Sequence, residues 1–446
     1  VTGSPPGAGS HRGTDGTGDR VGERSVGELS VGDVVEVEVG PVAHGGFCIA
    51  RYEGRVVFLR HALPGERVRA RVTEAKPGQR FVRADAVEVV EASEHRVTAP
   101  CPYAGPGLCG GCDFQHVEVG HQRELKAAVV REQFSRLAHL EVAVAVEPVP
   151  GDHDGLGWRT RVEFAVDEAG RAGLRQHRSH DVVPVDTCLI ADERVLATGV
   201  LHGHWDGEQA VDVVAPSTGE AVVVPVPSGE QDVPTVVEHV AAQRFAGDFQ
   251  VSARGFWQVH PGAAATFVDT VLEVLAPREG ETALDLYSGV GLFAAALAEA
   301  VGPGGKVVAV ESDADAVASA AANLAAYPSV LALRARVDDA FGVARPKRSG
   351  PGSRGQRSRK LRRHPLLPLR ADLVVLDPPR TGAGKDVVAQ VAALEPRAIA
   401  YVACDPAALA RDAAWLLEAG YRLEGLHAFD AFPMTHHVEC VAVFGR

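Results

Sequence analysis

Beyond Gly255 the chain settles into a regular alternation of apolar strand and helix. Strands are predicted at 283–287, 306–310, 373–376 and 398–402, with helices starting at 291 and spanning 314–326 and 387–394. Strands separated by helices pair in parallel with helices on both faces, so this stretch predicts a doubly wound α/β sheet. Ligands of such sheets bind outside the carboxyl ends of the strands, where several unusual residues collect. Asp285-Leu286-Tyr287-Ser288-Gly289-Val290-Gly291 links the first strand to its helix. Glycine there permits a tight turn and close approach of a ligand to the backbone. Alone, Gly289-x-Gly291-x-x-Ala294 fits a dinucleotide fingerprint equally well. Glu311 ends the next strand, where a carboxylate can accept hydrogen bonds from ribose hydroxyls. Asp285 decides between the ligands, because an acidic group repels a pyrophosphate and attracts an ammonium or a sulfonium. Asp377-Pro378-Pro379-Arg380 adds a second carboxylate, held at the sheet edge by prolines that donate no hydrogen bonds. Read together, Asp285, Gly289, Glu311 and Asp377 predict a site for S-adenosylmethionine, with Asp338 near the adenine.

Two further segments reach the same edge. Cys404-Asp405-Pro406 follows the strand at 398–402, and Phe432-Pro433-Met434-Thr435-His436-His437-Val438-Glu439 forms the last polar loop. A free thiol and a carboxylate on one sheet edge suit methylation of carbon 5 of a uracil. That carbon is a poor nucleophile until a thiolate adds to carbon 6, and a base must afterwards remove the carbon 5 proton. Cys404 is the expected nucleophile and Glu439 the expected base. His436 and His437 are candidates to tune the thiol or orient the base. Arg380 suits a phosphate or base contact.

The N-terminal half is organised differently. Residues 1–25 are poor in large apolar side chains and are expected to be a disordered tail. Alternating apolar runs between 31 and 92, punctuated by Gly and Pro, predict a small β-barrel of the oligonucleotide-binding type (domain 26–92). All nine of its Lys and Arg residues fall between Arg51 and Arg83, as an RNA-binding face would require. A middle α+β domain is expected over 93–250 and the catalytic domain over 251–446. The formal charge of −13 argues against a uniformly basic nucleic-acid binder, but 345–370 holds ten Lys/Arg and no Asp or Glu. That stretch is expected to be a disordered basic insertion. Arg159, Arg161, Arg175 and Arg178 are candidate phosphate contacts. No apolar run approaches membrane-spanning length and no leader opens the sequence, so a cytoplasmic protein without a membrane partner is expected. Seven cysteines, an odd number, suit metal or catalytic use better than a disulfide framework. Cys101, Cys109, Cys112 and Cys188 could share one centre, and both zinc and a [4Fe–4S] cluster accept four thiolates.

The segments Phe256-Trp257-Gln258-Val259, Asp285 to Phe293, Asp377 to Arg380, Tyr401 to Pro406 and Phe432 to Glu439 together resemble the RNA (uracil-5-)-methyltransferase family. The likeness spans roughly 31–446 and is greatest to the iron–sulfur branch that carries an N-terminal TRAM barrel and acts on 23S ribosomal RNA. It implies a Rossmann-like class I methyltransferase domain, Cys404 as nucleophile and Glu439 as base. It also implies a methyl-donor site lined by Gln258, Tyr287, Glu311 and Asp377. The cysteines would carry a structural [4Fe–4S] cluster rather than zinc, the partner would be 23S ribosomal RNA, and the chain would act as a monomer. Transfer RNA uridine-54 methylation, which uses the same chemistry, and a catalytically silent RNA-binding or ribosome-assembly role are the alternatives. Departures from the family pattern are His260 for asparagine, Ser288 for cysteine, Ala403 and Ala408 for hydroxyl residues and Met434 for glutamine.

Overall fold

A computed structural model describes residues 29–227, 233–343 and 362–446. The expected N-terminal tail and most of the basic insertion lie outside the described residues.

Five strands, β1 (Val34–Ala43), β2 (Phe47–Tyr52), β3 (Arg55–Arg60), β4 (Arg67–Glu74) and β5 (Phe81–Glu91), close into a barrel of order β1-β2-β3-β5-β4. Strict alternation drives it: Val35, Val37 and Val39 point inward from β1, as Val68, Ala70 and Val72 do from β4. A helix, α1 (Val119–Gln133), continues into a π-helical turn at Phe134–Ala138. After it, β6 (Val146–Pro148) leaves the middle segment to join the C-terminal sheet.

A five-stranded sheet is built from β7 (Arg161–Val166), β8 (Ala172–Arg175), β9 (Val182–Pro184), β10 (Ala210–Val214) and β11 (Val222–Val226), with a short helix α2 (Glu193–Ala197) between β9 and β10. Its order is β11-β10-β7-β8-β9. A hairpin of β12 (Thr235–Ala241) and β13 (Ala246–Ser252) leads to α3 (Ala263–Leu275).

Strand–helix alternation then runs β14 (Thr282–Leu286), α4 (Leu292–Val301), β15 (Lys306–Glu311), α5 (Ala314–Asn323), β16 (Val330–Arg334), α6 (Val337–Ala340), β17 (Leu373–Leu376), α7 (Lys385–Ala392), β18 (Ala398–Ala403) and α8 (Pro406–Glu418). It ends with the antiparallel strands β19 (Arg422–Asp430) and β20 (Glu439–Gly445). The eight-stranded order is β16-β15-β14-β17-β18-β20-β19-β6. All six residues of β18 are buried, as expected of a strand covered on both faces. One apolar core unites α3, α4 and the β12–β13 hairpin on one face, while a second packs α1, α7 and α8 on the other. The chain reverses its direction of sheet growth between β14 and β17, which pair in parallel. At that switch point the carboxyl ends diverge and leave room for a ligand. No helix among the described residues is long and apolar enough to cross a membrane.

Candidate active site

The loop after β14 is shaped by three residues with positive φ: Tyr287 (67°), Gly289 (53°) and Gly291 (94°). At Gly291 an added Cβ would also meet the Leu324 side chain at 3.0 Å, so only glycine fits where α4 begins. The amides of Tyr287 and Ser288 both donate to the carbonyl of Val310, and the Gly289 amide donates to Glu311 Oε2 at 3.1 Å. Glu311 is thereby held against the loop.

Asp285 is completely buried, and neither carboxylate oxygen has a hydrogen bond of good geometry. Burial, then the charge of Asp377, pushes its carboxyl up to about 8, with the Ala294 amide offsetting only part. Burial, then Glu311, pushes Asp377 up to about 7. Three carboxyls thus gather at one sheet edge, one of them buried without a hydrogen bond of good geometry, an arrangement that favours a cation.

The strand register brings the two expected reacting groups together. In the antiparallel pair β18–β20 the last partners are Ala403 and Cys440. Cys404 directly follows Ala403 and Glu439 directly precedes Cys440, so the two groups meet at the end of this ladder, close enough for the Glu439 charge to act on the Cys404 thiol. Cys404 is half-buried; burial, then the Glu439 charge, lifts its thiol to about 11, while Arg380 pulls it down. Glu439 is buried and held well above the ordinary carboxylate range by burial and by Asp377. Without ligands the Cys404 thiol therefore keeps its proton at neutral pH, and burial favours the protonated form of Glu439. Asp405 caps α8 by accepting from the Ala408 amide at 2.8 Å, which fixes Cys404 at the strand-to-helix corner.

The histidines divide. Burial, then His436 and Arg380, drives His437 down to about 3, so it is neutral and cannot act as the cation that activates a thiol. Its Nε2 lies 3.3 Å from Arg380 Nη2 and must accept, since a guanidinium only donates. His436 bonds instead to Asp113, 2.6 Å from Nδ1 to Oδ2. The loop before Glu439 is clamped by the segment after Cys112. The amides of Asp113 and Phe114 donate to the Met434 carbonyl, Gln122 accepts from the Met434 amide, and buried Lys126 pairs with Asp430 at 2.5 Å. His260 is buried, held near 4 by desolvation, and stacked on Trp158. Gln258 lies half-buried between β13 and α3.

The four cysteines gather in one neighbourhood, where each of Cys109 and Cys112 senses the charges of Cys101 and Cys188. The Gly111 amide donates to Cys109 Sγ at 3.3 Å and Gln115 Nε2 to Cys112 Sγ at 3.4 Å. At Gly110 an added Cβ would lie 2.4 Å from the His177 nitrogen, so the loop docks backbone to backbone beside β8. Among the described residues no group of three or more His, Cys, Asp or Glu side chains is arranged to hold a metal ion. Cys48 and Cys440 are buried packing residues, as their apolar surroundings predict. Arg161 departs from expectation: it turns inward to pair with Glu238 at 2.9 Å and to cap the carbonyls of Ala253 and Gly255, which removes it as a phosphate contact. Arg175 and Arg178 are exposed.

Sequence reasoning missed His44 and Asp113. His44, in the turn between β1 and β2, bonds to Asp405 at 3.1 Å across 361 positions, a partnership that no local pattern announces.

The strand order, the glycine loop and the carboxyl-edge site define a class I methyltransferase with a barrel appended. A family profile described as tRNA (Uracil-5-)-methyltransferase matches residues 208–446, and a TRAM domain profile matches 28–87. The chain belongs to the tRNA (uracil-5-)-methyltransferase family and is an RNA (uracil-5-)-methyltransferase. An uncharacterized RNA methyltransferase of Streptomyces avermitilis is 48% identical, over 93% of this chain and 98% of the relative. One from Bifidobacterium longum is 38% identical, over 92% and 96%. Among solved structures, Pyrococcus abyssi tRNA (uracil-54, C5)-methyltransferase in complex with S-adenosyl-L-homocysteine superposes with a TM-score of 0.62 at 22% identity. That match covers 92% of this chain and 99% of the archaeal one, a likeness of fold.

Proposed function

We propose that this enzyme methylates carbon 5 of a uridine in 23S ribosomal RNA, with Cys404 as nucleophile and Glu439 as base. The observation that carries this reading is the end of the β18–β20 ladder, where the Ala403–Cys440 pair brings the adjoining Cys404 and Glu439 within reach of each other's charge. S-adenosylmethionine supplies an electrophilic methyl group. Asp285, Asp377 and Glu311 suit it, because buried carboxyls without internal cations favour a ligand bearing a sulfonium and an ammonium. Gln258, Tyr287 and Gly289 complete the pocket wall. A cation there also favours the ionised forms of Cys404 and Glu439, which its absence disfavours.

The steps follow from the two residues. The Cys404 thiolate bonds to carbon 6 of the uracil, and the displaced electron pair gives carbon 5 enolate character. Carbon 5 takes the methyl group as the donor's sulfur–methyl bond breaks. Glu439 removes the carbon 5 proton, the ring double bond re-forms, and Cys404 leaves carbon 6 as a thiolate. The base must first leave its stack to reach this edge. The barrel and the exposed Arg175 and Arg178 suit backbone contacts to the RNA.

Cys101, Cys109, Cys112 and Cys188 suit a structural [4Fe–4S] cluster. Donors aimed at two of the sulfurs favour thiolates. Zinc accepts the same four thiolates, and the likeness to the cluster-bearing branch of the family is what favours iron–sulfur. We expect the enzyme to act as a monomer in the cytoplasm.

Transfer RNA is the second reading. The archaeal structural relative acts on uridine 54 of tRNA, and the chemistry is the same. Mapping 5-methyluridine in ribosomal and transfer RNA from a strain lacking the protein separates them. Loss of a single ribosomal methylation supports the proposal; loss at transfer RNA position 54 alone refutes the substrate, and loss at neither refutes the activity on both.

A further inference from the structure

A small cleft opens beside Cys404. One wall is Arg380, Cys404 and His437 from the catalytic sheet, and the opposite wall is the barrel turn with His44 and Gly46. That turn is fastened on both sides of the reacting pair. On the nucleophile side, His44 Nε2 bonds to Asp405 Oδ2 at 3.1 Å, while the other oxygen of Asp405 caps the helix that begins next to Cys404. On the base side, Arg60 of β3 reaches Asp113 Oδ1 at 3.4 Å with both side chains only 7% exposed. Asp113 Oδ2 in turn accepts from the His436 amide at 3.1 Å and contacts its Nδ1 at 2.6 Å. His436 lies three residues before Glu439. Gly46, at φ +77°, sits so close that an added Cβ would be 2.8 Å from His436 Cβ.

We infer that the barrel is part of the active-site scaffold: His44 positions Cys404 through Asp405, and Arg60, Asp113 and Gly46 position Glu439 through His436. The inference rests on the roles proposed above for Cys404 and Glu439. Cys404 sits at a strand-to-helix corner and Glu439 at the first residue of β20, and a near neighbour of each, Asp405 and His436, is held from outside the catalytic domain by a directional contact rather than by apolar packing alone. A displacement of about 1 Å in a reacting group can cost roughly a hundredfold in rate. A barrel that only gripped RNA would not need to reach residues adjoining the chemistry.

The test uses the full-length protein and a transcript spanning the mapped uridine, made with either uridine or 5-fluorouridine. With fluorine at carbon 5 the sulfur–carbon 6 and carbon 5–methyl bonds still form. No proton is left to remove, so the protein stays attached. Adduct formation thus reports Cys404, and release of product from ordinary RNA reports Glu439. His44→Ala is expected to slow adduct formation tenfold or more with the RNA KM changed less than twofold, and His44→Gln, which can still donate to Asp405, to recover most of the rate. Asp113→Asn and Gly46→Ala are expected to form the adduct at near-normal rate but to release product from ordinary RNA at least tenfold more slowly. Gly46→Ala reports the base side without touching the residue after Cys112.

A raised KM with unchanged kcat in these variants would make the barrel an RNA grip only. A lowered Tm with both rates intact would make it structural glue; either result overturns the inference. Cys404→Ser and Glu439→Gln serve as controls: if the former still forms adduct or the latter turns over normally, the proposed roles fail independently of the barrel.

Discussion

Asp285→Asn should make the ligand-free enzyme more stable while weakening its hold on S-adenosylmethionine. The native carboxyl is completely buried, lacks a well-formed hydrogen bond and titrates near 8, whereas an unfolded aspartate titrates near 3.8. A group whose folded pKa is raised contributes stability that is fully present below its unfolded value and is lost as pH rises through the folded one. At 1.36 kcal/mol per pH unit, ionised Asp285 in the unfolded chain against protonated Asp285 in the folded chain costs on the order of 4 kcal/mol at pH 7. This is an upper bound, because asparagine also pays for burying a polar amide. The pH dependence is cleaner than the absolute gain, since the amide does not titrate. Between pH 6 and pH 8 the advantage of the Asn variant over wild type should widen by about 2 kcal/mol. Urea denaturation of both proteins without donor, at several pH values in that range, measures the difference. Isothermal titration at pH 8 should show at least tenfold weaker donor binding by the variant. A variant less stable than wild type at pH 8, or a gap that does not grow with pH, would refute the picture of a carboxylate kept waiting for a cation.

Three further outcomes follow from the site. The free Cys404 thiol, lifted to about 11, should react slowly with iodoacetamide at pH 7.5, and saturating S-adenosylmethionine should speed the reaction because a nearby cation favours thiolate; rates followed by peptide mass spectrometry check this, and a slower reaction would contradict it. Lys126→Ala strands the buried Asp430 and should cost roughly 3–5 kcal/mol in denaturant unfolding, with the loop before Glu439 losing protection in hydrogen exchange; a cost under about 1 kcal/mol would mean that water reaches the pair. Anaerobically purified protein should be brown with four irons per chain, and Cys112→Ser should lose the colour; a colourless zinc protein would overturn the cluster reading.

The catalytic sheet was legible because its strands are short apolar runs bounded by chemistry at their ends. The strand 373–376 is predicted without error, and 398–402 and 306–310 each miss one terminal residue. The barrel was legible from alternation, although β2, interrupted by Cys48 and flanked by Gly45, Gly46 and Gly54, gave too weak a pattern to be named. β6 is three residues long and owes its existence to pairing with β19, which sequence cannot show. In the site, residues at strand ends could be read and their partners could not. A sequence displays the acidity of Asp285 but not the absence of a hydrogen bond. It displays Arg161 among exposed-looking charges but not Glu238 waiting inside. His44 and Asp405 meet only because a barrel turn folds over a helix cap far away in the chain.

Glu439→Gln offers the most direct measurement of whether one thiol and one carboxyl act on the same ring. The variant is incubated with substrate RNA and S-adenosylmethionine, digested, and examined by mass spectrometry for a nucleotide on the peptide containing Cys404. The account predicts a methylated uridine attached through carbon 6 to Cys404 that accumulates as product formation stops. Normal turnover without an adduct, or an adduct on any other residue, would contradict it.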